Sequence, residues 1–162
     1  AGTRCDARVG AAGGAPRGWS RRGGVDLRDG ALVLLGGATP DGTDRAVWSL
    51  PMGARPTWRR LDGAADALPR SGHALPWDPV GCGFVVVGGR CSDQTWLIRP
   101  EGGGVREALL GTVQLDGEAR GLGREGAGLA LDVARRTLVA VAGASCDTSG
   151  ATVRSSALIE LR

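Results

Sequence analysis

A chain of 162 residues with a formal net charge of +3 is long enough to bury a core and fits one domain better than two. Its apolar runs fall far short of the ~20 residues that cross a bilayer, so the sequence holds no membrane-spanning helix. Apolar β-branched runs recur throughout, which fits disorder less well, and 29 glycines spread along the whole chain fit an all-β protein with many tight turns.

All 20 cationic residues are arginine, and Lys, Asn and Tyr are missing, a bias expected of a GC-rich bacterial genome. The densest charge lies at Arg21-Arg22, Arg59-Arg60 and Arg135-Arg136, each at a strand end or turn. No aromatic residues for base stacking interleave with them, so they read as solvated faces, and no nucleic-acid partner is expected. The chain starts at Ala1 without an initiator Met or a signal-peptide pattern. It therefore reads as a processed product or a piece of a longer one.

The first strong strand signal is Ala31–Leu35, reached through an Arg28-Asp-Gly30 turn of hairpin type and closed by Gly36-Gly37. A polar loop follows, then predicted strands at Arg45–Leu50 and Thr57–Leu61. The pattern restarts with Phe84–Val87, closed by Gly88-Gly89, and continues with Gln94–Ile98 and Val105–Leu109. It restarts once more with Thr137–Ala142, closed by Gly143-Ala144, and ends with Ser156–Leu161. The glycine markers stand 52 and 55 residues apart. A fixed period near that length signals a repeat architecture, here a four-stranded antiparallel meander bounded by Gly, Pro and Asp. Upstream of each apolar run lies an Arg-x-Gly triplet: Arg22-Gly-Gly24, Arg70-Ser-Gly72 and Arg124-Glu-Gly126. Asp78 and Asp132 share one turn position, and no segment holds a helical period for long enough to count as a helix.

The order Arg70-Ser-Gly-His-Ala74, Phe84-Val-Val-Val-Gly-Gly89, Asp93-Gln-Thr-Trp-Leu97 resembles the kelch repeat. Copy one adds Leu32–Gly37, Val47-Trp-Ser-Leu50 and Thr57–Leu61, and the resemblance runs from about residue 20 to the end. Copy three departs from it with Leu158 in place of Trp, and copy two has no second Trp. The resemblance implies an all-β fold of kelch-type β-propeller blades, about three of them, in an incomplete ring. It divides the chain into the end of a preceding blade or a closing strand (1–20), blade one (21–66), blade two (67–120) and blade three (121–162), the last without its fourth strand. It gives structural roles to Gly36, Gly37, Gly88, Gly89 and Gly143 at the close of the second strands, and to Trp48, Trp58 and Trp96 between blades. It also implies that innermost strands line a channel, which makes Arg22, Arg70, His73 and Arg124 the candidate binding residues.

Propellers close with about four to eight blades, so three must be completed from the same chain or another. Cys82 and Cys91 flank an eight-residue strand that separates them by more than the roughly 7 Å a disulfide permits. Cys5, Cys91 and Cys146 fall in corresponding loops, so Cys91–Cys146, Cys5–Cys146 and Cys5–Cys82 stay open as pairings, and an exported protein is expected. None forms a CxxC pair, so no metal site is expected. The Asp41-Gly-Thr-Asp44 and Gly102-Gly-Gly104 stretches match neither a calcium loop nor a phosphate loop, and no cofactor is expected. The expected function is a binding scaffold for a protein or ligand, as part of a larger propeller. The alternatives are a carbohydrate-acting propeller enzyme with its site over the channel, and a structural subunit of a multi-chain complex.

Overall fold

The computed structural model describes residues 22–63, 71–89, 92, 94–112, 124–141, 144–145 and 156–160. In chain order, β1 (Arg22–Asp26) and β2 (Ala31–Leu35) lead into a small hairpin, β3 (Ala38–Thr39) and β4 (Gly42–Thr43). Then come β5 (Val47–Pro51), β6 (Arg59–Leu61), β7 (Trp77–Asp78), β8 (Gly83–Val87), β9 (Gln94–Glu101) and β10 (Gly104–Thr112). The last group is β11 (Arg124–Glu125), β12 (Gly128–Asp132), β13 (Thr137–Val141), β14 (Ala144–Ser145) and β15 (Ser156–Glu160). These make two four-stranded sheets, β1-β2-β5-β6 and β7-β8-β9-β10, and a three-stranded sheet, β12-β13-β15. All strand pairings within them are antiparallel.

The sheets stack face to face, and burial shows why. Strand β8 is buried at every position, so it reads as a continuous apolar run rather than an alternating one. Phe84 and Val86 turn to the first sheet and join Val33, Leu35, Val47, Leu61 and Ile98 in one core. Val85 and Val87 turn the other way and join Leu97, Leu138 and Ala140 in a second core. Strand β2 instead alternates, with Val33 and Leu35 fully buried and Leu32 and Leu34 half-buried. Trp77 meets Phe84 edge to face, ring centroids 5.0 Å apart, and helps seal the first core. At the outer edge, the Asp62 amide donates to the Gly103 carbonyl and the Val105 amide to the Asp62 carbonyl, stitching β6 to the β9–β10 hairpin.

The hairpin registers fix the repeat phase. Asp26 pairs with Ala31, Asp78 with Gly83 and Asp132 with Thr137, so these three aspartates are equivalent. Counting from them corrects two alignments. Arg22 stands level with Ala74 and Gly128, not with Arg70 and Arg124, because it lies four residues before its turn aspartate and they lie eight before theirs. The third glycine marker aligns as Ala142-Gly143, not Gly143-Ala144, because Val141 matches Val87 in the register. The turn of copy one is a four-residue loop, 27–30, rather than a two-residue Asp-Gly hairpin. Strand β6 starts at Arg59, leaving Trp58 half-buried just outside it, and the β3–β4 hairpin occupies a stretch read as loop.

Candidate functional site

The equivalent aspartates are local organisers before they are anything else. In each turn the carboxylate accepts from a following amide: Arg28 for Asp26 at 2.9 Å, Val80 for Asp78 at 3.0 Å and Arg135 for Asp132 at 3.0 Å. This Asx geometry replaces ladder bonds that the turning backbone cannot make. Four residues after each aspartate the backbone takes a left-handed conformation: Gly30 at φ 59°, Cys82 at φ 52° and Arg136 at φ 53°. Only the first is glycine, so the other two hold a conformation that disfavours side chains.

Two arginines of these turns, Arg136 and Arg28, run between sheets. Arg136 places its Nη1 2.6 Å from Oδ1 of the fully buried Asp78 in the preceding sheet. Burial pushes the Asp78 carboxyl up, but Arg136 and the Gly81 and Val80 amides outweigh it and hold the group below the ordinary carboxylate range. Arg28, its side chain 8 % exposed, pairs with Asp26 at 3.0 Å and also donates to the Pro100 carbonyl of the second sheet at 2.7 Å. Arg99 donates to the Gly81 carbonyl at 2.6 Å within the second sheet. The Asp132 carboxyl is held low by Arg135, which binds it at 2.7 Å on an exposed surface. Cys82 stands in the second of these turns, its Sγ 3.8 Å from the Pro79 carbonyl oxygen. An open cleft at this end lies between Asp29 and Ser49 of the first sheet and the Pro100–Gly103 turn of the second.

The opposite end carries the double glycines. Gly36, Gly37, Gly88 and Gly89 all have positive φ, from 53° to 114°. At Gly89 a Cβ would lie 2.7 Å from the Ser71 carbonyl oxygen and 2.9 Å from the His73 backbone nitrogen, so the close approach requires glycine. His73 is fully buried there. Just beyond Gly37 the β3–β4 hairpin exposes Pro40, Asp41 and Gly42 to solvent, with the Thr39 hydroxyl donating to the Gly42 carbonyl at 3.1 Å.

Of the candidate binding residues, Arg22 is exposed at the start of β1, and Arg124 sits on β11, a short ladder separate from the innermost strand β12. Arg70 lies outside the described residues, as do Cys5, Cys91, Cys146 and Gly143. The described residues do not bring Arg22 and His73 together. What ties the Arg-x-Gly triplets together is backbone: the Gly126 amide donates to the Gly72 carbonyl at 2.8 Å across adjacent sheets. Trp96 packs against the first inter-sheet core, and Trp48 is half-buried on the other face of its sheet. The inter-sheet arginines Arg28 and Arg136 escaped the sequence reading, since their targets are a backbone carbonyl and a carboxylate 58 residues away. No group of three or more His, Cys, Asp or Glu side chains suited to a metal ion occurs among the described residues.

No family model matches the chain, and no curated protein matches it in sequence. The solved structure of YjhT, a kelch-repeat β-propeller protein, matches 88 % of the chain with a TM-score of 0.53 at 15 % identity. The chain spans 43 % of YjhT, less than half its length. The fold is therefore that of part of a kelch propeller, built of four-stranded antiparallel blades.

Proposed function

We propose that these sheets are the frame of a larger kelch-type propeller, and that recognition of a protein or small ligand by its loops is the chain's role. The observation that carries this reading is the β3–β4 hairpin. Its exposed Pro40, Asp41 and Gly42 stand on a strand whose neighbours are locked by a buried core, so a solvent-facing element rests on a fixed base. Recognition surfaces sit on such loops, positioned by a scaffold that does not move. The blade limits follow the meanders, near residues 21–66, 67–120 and 121–162, with further blades supplied from beyond the chain. Export to an oxidising compartment, with Cys82 in a disulfide, belongs to the same proposal.

The test is a screen of the purified protein against glycan and peptide arrays. A saturable ligand whose binding is lost in Asp41→Arg, with the unfolding midpoint unchanged, is expected. A ligand consumed with release of product would replace this reading with an enzymatic one. Four free thiols in non-reducing mass spectrometry would sink the export proposal.

A further inference from the structure

Each sheet has a forward face, turned to the next sheet, and a rear face, turned to the one before. The forward face of the first sheet and the rear face of the second close over Val33, Leu35, Phe84 and Val86, then part at the turn end. There they leave an open cleft of about 460 Å³. Its apolar lining comes from Ala31, Pro51 and Leu61 of the first sheet and Pro100 of the second. Asp29 lines it from the first sheet and Glu101 from the second, each carboxylate about one-third exposed. Large apolar side chains are left in water beside it. Leu27, next to the lining Asp26, and Met52, next to the lining Pro51, are each 70 % exposed. The Met52 amide donates to the Gly30 carbonyl at 2.9 Å, which ties the two turns together.

Among the described residues, the charge of this lining is not balanced from within. Arg28 is shared by Asp26 and Asp29, so two carboxylates meet one guanidinium and one negative charge is left over. The same Nη2 also donates to the Pro100 carbonyl, which commits Arg28 to the contact between the sheets. Glu101 pairs with Arg106, whose side chain is 72 % exposed and gains little from holding it. The next junction shows what such a turn carboxylate accepts. There Arg136 of the third sheet sets its guanidinium on Asp78, the register equivalent of Asp26. In the second sheet the position equivalent to Arg136 is Cys82, four residues after Asp78 as Arg136 is after Asp132. That position therefore sends no guanidinium to the turn of the first sheet, and Asp26 and Asp29 border a cleft instead.

We propose that this cleft seats an arginine side chain of a peptide partner, with the apolar neighbours of that arginine resting on Leu27 and Met52. The methylene stem packs on Pro51, Leu61 and Pro100. The planar guanidinium donates to the Asp29 and Glu101 carboxylates, whose remaining lone pairs match its fork of N–H groups. The site lies at the opposite end of the sheets from the β3–β4 hairpin and goes beyond the scaffold reading by naming a ligand class.

Calorimetric titration of the purified protein with an acetylated, amidated Leu-Arg-Leu peptide tests it. Saturable binding is expected, and replacing the peptide arginine with citrulline, which keeps the shape and loses the charge, should weaken it by about tenfold. Glu101→Gln and Asp29→Asn should each weaken the arginine peptide several-fold and leave the citrulline peptide unaffected, with the unfolding midpoint unchanged. Leu27→Ser should weaken both peptides alike. Should Asp29→Asn fail to fold, Glu101→Gln, at an exposed ion pair, carries the test alone. An affinity weaker than about 1 mM for the arginine peptide, equal binding of the two peptides, or binding indifferent to the carboxylate variants would overturn the proposal. A peptide released by Asp41→Arg and kept by Glu101→Gln would be held by the hairpin, which overturns the cleft site and leaves the scaffold reading standing.

Discussion

Replacing Arg136 with Asn isolates the ion pair that joins the second and third sheets. Asn tolerates the left-handed backbone at φ 53°, so the turn should survive while the guanidinium is lost. Asp78 would then keep its Val80 amide bond but lose the 2.6 Å contact to its cation while remaining fully buried. Stranding a buried charge costs about 3–5 kcal/mol, and because Arg136 is one-third exposed, solvent screening reduces this to ~2–3 kcal/mol. For a unit of this size that lowers the melting temperature by roughly 5–10 °C. The sign with pH is set by the depressed carboxyl. Its contribution is present above the unfolded value near 3.9 and is lost as pH falls through the lower folded value. The gap between wild type and Arg136→Asn, measured by calorimetry, should therefore be full at pH 7 and shrink below about pH 4. A gap under ~0.5 kcal/mol at pH 7, or one that persists unchanged into acid, would refute the reasoning.

Gly89→Ala and Gly30→Ala share positive φ but differ in surroundings, with backbone at 2.7 Å in the first case and open space in the second. The second should cost ~1 kcal/mol of left-handed strain, and the first several kcal/mol, read as urea midpoints. Equal costs would remove close packing as the reason for the double glycine. Phe84→Ala should lose about 3–5 kcal/mol, since the ring is fully buried between two sheets and seals the Trp77 contact. Gly24→Ala places a methyl 2.6 Å from Phe84 Cε1, so the ring must shift, and near-ultraviolet circular dichroism of the adjoining Trp77 should change. An unchanged spectrum would mean that the first two sheets sit further apart than described.

The blade pattern was legible because it rests on short-range physics. Apolar runs at Ala31–Leu35 and Phe84–Val87, closed by glycines, fix strands and their ends without reference to distant residues. Hairpin phase was legible only within four residues. Arg22 matched the Arg-x-Gly pattern by letter, yet backbone pairing places it level with Ala74. The inter-sheet latches were not legible at all. Arg136 and Arg28 look like ordinary turn arginines, and only the stacking of sheets reveals what they reach. The burial of His73 against Gly89 depends on that same close packing and is not legible from sequence either.

The central claim is that these sheets are consecutive blades, each forward face seated on the next rear face. Electron cryo-microscopy of the native particle, enlarged with a bound antibody fragment, tests this most directly. The account predicts a ring of radial four-stranded sheets around a channel, with the face that bears Val141 covered by another sheet. A particle in which that face meets solvent, with no sheet beyond the third, would contradict it.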